Sequence, residues 1–96
     1  MTKKEENNIE LFESLLKLNI KYAIEDSNIN MRMIDNRIKF YQTLINNLEE
    51  NKPLFFQKKK LIDYNNKLDE YSKKINDLYI ELNEELKLLE KLYEQF

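Results

Sequence analysis

The first half of the chain carries an apolar stripe with the spacing of one long α-helix. Apolar side chains recur every three or four residues, which is the period of one helix face. The stripe keeps its phase over roughly forty positions, and a helix of that length is about 60 Å long. Ser27 is its single polar member. The stripe consists of Ile9, Phe12, Leu16, Ile20, Ile24, Ser27, Met31, Ile34, Ile38, Tyr41, Ile45 and Leu48.

The second half repeats the pattern with the stricter rhythm of a coiled-coil seam. Its apolar positions alternate between steps of three and four residues, which is a heptad repeat. Gln57 and Glu85 are the polar exceptions. No stretch keeps the period of two that a half-buried strand requires. The stripe consists of Leu54, Gln57, Leu61, Tyr64, Leu68, Tyr71, Ile75, Leu78, Leu82, Glu85, Leu89, Leu92 and Phe96.

A short polar segment around Pro53 separates the two stripes. Proline keeps the preceding residue out of the helical region and is favoured at the first position of a helix. Asn51 tolerates the left-handed conformation that often ends a helix. Thr2 and Glu5 have the spacing of a capping box that starts one.

These features predict an all-α fold, an antiparallel helical hairpin with a coiled-coil-like seam. Helix one is expected at about residues 5–50, the turn at about 50–53 and helix two at about 53–96. Residues 1–96 then form a single helical domain, which a partner or a second copy of the chain completes to a bundle. So short a turn makes the two helices antiparallel neighbours.

The two stripes also predict a register for the hairpin. A mirror point at Asn51 places Ile24 opposite Leu78. The same mirror sets Lys17 opposite Glu85, so that a polar seam position gains an ion pair. A heptad repeat is nearly its own mirror image, so other registers satisfy the apolar pattern as well.

An alternative fold breaks helix one at residues 25–28, where Glu, Asp, Ser and Asn follow one another. Asp, Ser and Asn favour caps and turns, and a break there gives a three-helix bundle. The stripe keeps its phase through this segment, however, and a turn has no reason to preserve it. The pattern therefore favours the continuous helix.

Both stripes are flanked by further apolar residues toward the end of the hairpin opposite the turn, here called the open end. Stripes this wide are typical of helices that pack against more than one neighbour. Either a third helix or a second copy of the chain covers this surface, or a different protein docks on it. The candidate interaction residues are Leu11, Leu15, Leu18, Tyr22, Tyr79, Leu86 and Tyr93.

The composition argues against catalysis. The chain contains no Cys, no His and no Gly. It therefore lacks thiolate and imidazole groups and the Gly-rich loops that hold phosphates. The paired acids Glu49-Glu50 and Glu84-Glu85 lack the Glu-x-x-His partners of di-metal bundles. We expect a protein that is not an enzyme, with no catalytic residue, no cofactor and no metal.

Charge and hydropathy set the expected partners and location. A net charge of −2 and a sequence pI near 5.3 argue against a nucleic-acid partner. No apolar run approaches a signal sequence or a transmembrane span, so we expect a cytoplasmic protein. Lys58, Lys59 and Lys60, with Phe55 and Phe56 nearby, are interpreted as a solvated helix start. We therefore expect neither a membrane nor a phosphate contact there.

The segments 15–26, 34–37 and 44–45 resemble small flagellar export chaperones of the FliT and FlgN kind. The resemblance covers most of the chain. Those chaperones are short, all-helical proteins with a basic residue on the long helix and a tyrosine near the C-terminus. Arg37 and Tyr93 match these features. The resemblance implies a chaperone that holds an export substrate.

The leading hypothesis is a non-enzymatic helical interaction protein, an adaptor or complex subunit that docks partner helices, or a second copy, through the open end. An export-type or holdase chaperone is the first alternative. A phage-type inhibitor that occludes the surface of a target protein is the second.

Overall fold

A computed structural model describes residues 2–95 as two long α-helices joined by a linker. Helix α1 spans Lys3–Glu50 and helix α2 spans Lys58–Gln95, and no strand occurs among the described residues. The helices form a rod of 85 × 15 × 14 Å. This architecture confirms the predicted all-α hairpin. Phe96, the last position of the second stripe, lies outside the described residues, as does Met1.

Helix α1 begins at the predicted capping box and runs without interruption. The Thr2 hydroxyl accepts a hydrogen bond of 3.3 Å from the Glu5 N–H, and the Glu5 carboxylate accepts one of 3.4 Å from the Thr2 N–H. The helix continues through residues 25–28. The three-helix alternative is therefore wrong. Ser27 starts no new helix, because its side chain is buried in the seam with 2% of its surface exposed.

The end of α1 differs from the prediction at Asn51. This residue has φ −110°, so it does not adopt the left-handed conformation. Its side-chain amide instead donates a 2.9 Å hydrogen bond to the Asn47 carbonyl, which also receives the Asn51 backbone N–H. The side-chain amide is thus a second donor to a carbonyl near the helix end, and this arrangement needs no positive φ.

Helix α2 begins at Lys58 rather than at Pro53, so the turn predicted at residues 50–53 extends over residues 51–57. The cause is Gln57, whose N–H donates a 2.9 Å hydrogen bond to the Leu54 carbonyl. Its side-chain oxygen accepts a second bond of 3.0 Å from the Leu54 N–H. These two bonds close a separate turn before α2. The Gln57 carbonyl then accepts from the Leu61 N–H at 2.9 Å and so begins the helix.

The two predicted stripes meet in the seam between the helices. Every member of the second stripe from Gln57 to Leu92 is buried or half-buried, which confirms its phase. Leu54 is the exception, since it lies in the linker and is exposed. The core cluster consists of Ile34, Ile38 and Leu78, with Tyr41, Ile75 and Leu82 packed against it.

The predicted register, by contrast, is wrong. The Asn30 side chain bonds to Glu85 and the Lys74 ammonium lies over the Tyr41 ring. As residue numbers rise along α1 they fall along α2, and the mirror point lies between Gln57 and Lys58. The longer linker moves each partner by about 13 residues, close to two heptads, so the apolar phase survives while the pairing changes.

Two predicted pairs are corrected by this shift. Leu78 packs with the core residues Ile34 and Ile38 instead of facing Ile24. Glu85 bonds to Asn30, so the ion pair expected between Lys17 and Glu85 does not form.

The same shift leaves the first part of α1 without a partner helix. In this register α2 ends at the level of Ile20, which is also the first buried residue of α1. Residues 3–19, here called the N-terminal arm, are exposed at every position. The arm continues the rod beyond α2 by about 25 Å. Ile9, Phe12 and Leu16 were predicted to lie in the seam but lie on this arm, because α2 does not reach them.

Candidate docking surfaces

The seven residues predicted to mediate interaction all have exposed side chains. Leu11, Leu15 and Leu18 lie on the N-terminal arm, and Tyr22 lies at its base. Tyr79, Leu86 and Tyr93 lie on α2. The structure therefore divides the predicted surface between an unpaired helix and the outside of the hairpin.

The register determines which of these residues come together. Tyr93 lies at the level of Tyr22, so these two tyrosines share the base of the arm. Leu86 lies at the level of Ile29, about 21 Å along the rod from Leu15. In the predicted register, with the mirror point at Asn51, Leu15 and Leu86 would have lain at nearly the same level. The role of the seven residues in binding stays a prediction.

The N-terminal arm carries three further apolar residues that the sequence analysis assigned to the seam. Ile9, Phe12 and Leu16 continue the seam stripe past the end of α2, and all are exposed, Phe12 by 67%. At the angular spacing of an α-helix, they and the three arm leucines cover about half of its circumference. The arm is therefore amphipathic, with a broad apolar side.

One feature of the sequence indicates that α2 starts late and therefore does not reach the N-terminal arm. Gln57 is polar although it occupies a seam position, and three lysines follow it directly. A polar seam residue at the start of a stripe is compatible with a helix cap. Had Gln57 been read as the cap, α2 would have started later and would have ended before it reached the arm.

An aromatic contact and a cation–π contact lie beside the core in the middle of the rod. The Tyr41 ring lies 5.9 Å from the Tyr71 ring, and the Lys74 nitrogen lies 5.4 Å from the Tyr41 centroid. Hydrogen bonding to Tyr41 is the largest cause that raises the pKa of Lys74 above its ordinary value, and Glu70 adds to it. Ser27 contrasts with these groups, because its buried hydroxyl has no hydrogen-bond partner.

A groove between the helices lies on one side of this region. Asn30, Arg37, Glu81, Glu84 and Leu88 are among its lining residues. No group of three or more His, Cys, Asp or Glu side chains placed to hold a metal ion occurs within residues 2–95. The groove therefore presents charged groups of both signs along the seam.

Over the described residues, neither helix combines the length and the hydropathy needed to cross a membrane. The fold defines the class of the molecule as a two-helix antiparallel hairpin in which α1 extends beyond the end of α2. Comparisons with protein-family profiles, with curated proteins and with solved structures give no match for this chain.

Proposed function

We propose that this chain is a non-enzymatic helical interaction protein, an adaptor or complex subunit whose N-terminal arm docks a partner helix. The observation that carries the proposal is the continuation of the seam stripe past the end of α2. Ile9, Phe12 and Leu16 occupy the same helical phase as the buried Ile20 and Ile24. A helix that followed on from α2 would bury them as α2 buries its own partners.

The energetics of the arm support a docking role. Burial of an apolar side chain of this size stabilises by about 1.5–3 kcal/mol relative to exposure. The arm has six such residues in exposed positions. Most helical stability in proteins comes from the packing of an amphipathic face, and the apolar side of the arm is exposed at every position. A partner would therefore stabilise both the arm and the complex.

The geometry also favours one orientation of the partner. Because the arm prolongs the α1 side of an antiparallel seam, its partner helix runs antiparallel to α1 and collinear with α2. The arm of a second copy meets this requirement, and so does an amphipathic helix of another protein. The export chaperone and the inhibitor use the same surface and differ from an adaptor in partner and stoichiometry.

The test replaces Phe12 and Leu16 by Glu in one variant. Phe40→Glu together with Ile62→Glu is the matched control, since both of these side chains are similarly exposed but lie outside the arm. Light scattering across a concentration series should show association of the wild type and of the control, and a monomer for the arm variant. If the arm binds only a different protein, the wild type should be monomeric. The amides of its arm should then exchange fast in the free chain and more slowly when that protein is bound.

One result contradicts the proposal. It is a wild-type monomer whose arm amides exchange as slowly as those of the core around Ile38, with the same protection in the arm variant. Such an arm would be stable without a partner, and its apolar side would be ordinary surface.

A further inference from the structure

The linker at the other end of the rod exposes three consecutive apolar side chains. Leu54, Phe55 and Phe56 are all solvent-exposed, Phe55 by 87% and Phe56 by 63%. The two rings lie edge to face with centroids 5.5 Å apart. The turn closed by Gln57 holds these residues outside both helices. The seam therefore buries none of them.

Lysines surround this apolar loop. Lys52 precedes it and Lys58, Lys59 and Lys60 follow it, while residues 51–60 contain no Asp or Glu. The first turn of α2 has no acidic residue, although acids are the residues that stabilise a helix N-terminus. The dipole of α2 therefore does not favour the three lysines at its start. The nearest acids in the sequence, Glu49 and Glu50, lie before the loop at the end of α1, and Asp63 lies after it on α2.

We propose that residues 51–60, the hairpin tip, bind the surface of a membrane that contains anionic lipids. Leu54, Phe55 and Phe56 enter the interfacial region, where apolar and aromatic side chains are favoured. The four lysines remain at the level of the headgroups and contact their phosphates. The rod then stands on the bilayer by its tip, with the N-terminal arm pointing away from it.

The composition of the tip favours a lipid surface over a protein. Three consecutive apolar side chains are exposed there, and residues 51–60 surround them with four lysines and no acid. Insertion into a bilayer needs no complementary partner surface, because its strength depends on how many apolar side chains enter and how many cations face the lipid.

The charge distribution of the chain favours an anionic lipid over a nucleic acid as the ligand of the tip. The whole chain has a net charge of −2, and its positive residues at the tip form a small cluster rather than a basic stripe. A binder of nucleic acid usually shows a basic domain. A cluster of lysines around an apolar wedge matches the headgroup and interface layers of an anionic bilayer instead.

The observed start of α2 reverses the expectation drawn from the sequence for these residues. There, a helix that began at Pro53 placed Leu54 in the seam and the lysines on a solvated helix turn. The observed turn removes Leu54 from the seam and leaves it exposed next to the two phenylalanines. The inference is independent of the proposed function, because the tip and the N-terminal arm lie at opposite ends of the rod.

A single tryptophan reports directly on insertion. The chain contains no Trp, so Phe55→Trp introduces one probe at the tip and Phe40→Trp introduces one on the side of α1. The vesicles consist of phosphatidylcholine with about 30% phosphatidylglycerol, an anionic lipid. We expect the Phe55→Trp emission to shift to the blue and to be quenched by lipid-bound quenchers. The Phe40→Trp emission should stay that of a solvated side chain.

Sedimentation with the same vesicles measures the contribution of each part of the tip. Phe55→Ser with Phe56→Ser should weaken partitioning at least about tenfold. Replacement of Lys58, Lys59 and Lys60 by Gln should weaken it by about 100-fold at low salt. The same replacement at Lys67, Lys73 and Lys87 is the control, because it removes equal charge from the side of α2. High salt should reduce binding, since it screens the lysines.

Several outcomes would overturn the proposal. One is a wild type that fails to sediment with anionic vesicles at low salt, and another is a wild type that binds pure phosphatidylcholine equally well. Binding lost in Phe12→Ser with Leu16→Ser but kept in both tip variants would make the N-terminal arm the membrane contact. Binding of single-stranded oligouridylate without binding of vesicles, lost in the variant that lacks the tip lysines, would make the tip a nucleic-acid contact.

Discussion

The side-chain amide of Asn30 donates a 2.8 Å hydrogen bond to the carboxylate of Glu85, across the seam from α1 to α2. Glu85 occupies a seam position that is otherwise apolar, and this bond supplies the polar partner that it needs. A slip of one heptad in either direction would place Asn30 opposite Leu78 or Leu92. A polar pair of this kind selects one register among several that the apolar pattern allows.

Cross-linking tests the register. Cysteines at Ile38 and Leu78, two members of the core cluster, should form an intramolecular disulfide on oxidation. Cysteines at Ile24 and Leu78 lie about 20 Å apart along the rod and should not, because disulfides require Cα atoms within about 7 Å. Gel mobility under non-reducing conditions measures both. Efficient intramolecular cross-linking of the Ile24 variant alone would restore the mirror point at Asn51.

The stripes were predictable from the sequence, and the pairing between them was not. A helix face is set by local spacing, so the buried residues of α2 were found with the correct phase. The pairing depends on where α2 starts, and a displacement by two heptads leaves the apolar pattern intact. The decisive bonds join Gln57 to Leu54. No periodicity in the sequence reveals them.

The candidate surfaces, too, were only partly predictable from the sequence. The sequence showed an excess of apolar residues toward the open end, and these side chains are exposed. It did not show that α2 ends near the level of Ile20, so Phe12 and Leu16 were placed in the seam and missed as surface. Leu54 was placed in the seam for the same reason, because α2 was expected to begin at Pro53 and begins at Lys58. Phe55 and Phe56 were assigned, with the three lysines, to a solvated helix start.

Ser27 gives a test of buried polarity. Its hydroxyl is buried and has no hydrogen-bond partner, which costs about 1–3 kcal/mol for such a group. Ser27→Ala should therefore raise the free energy of unfolding by about 1 kcal/mol or more, with a small part from helix propensity. Urea denaturation followed by circular dichroism measures the change. The exposed Ser72→Ala reports propensity alone, and an equal gain in both variants would mean that the Ser27 hydroxyl carries no penalty.

Gln57 tests the start of α2. Gln57→Ala removes the side-chain bond to the Leu54 N–H and should lower the free energy of unfolding by about 1 kcal/mol, the usual effect of losing a cap. Hydrogen exchange near Leu61 should also become faster. Gln42→Ala is the control, because Gln42 is exposed within α1. If both variants are equally stable and equally protected, the side chain of Gln57 does not determine where α2 begins.

The last prediction separates the stability of the hairpin from the role of the arm. A chain without residues 1–17 loses almost the entire N-terminal arm, which is exposed throughout its described length and adds nothing to the core. We expect its free energy of unfolding to change by less than about 1 kcal/mol, as for other changes at exposed positions.

A control truncation of similar length removes residues 80–96 from α2. It deletes Leu82, Leu89 and Leu92, which are half-buried in the seam, and the loss of a buried leucine costs about 2–5 kcal/mol. This chain should be unfolded or nearly so, while the chain without the arm should give a full cooperative transition in urea. Light scattering should also show that the chain without the arm no longer associates. A large loss of stability on removing the arm would mean that it packs against the hairpin and is not free to dock a partner.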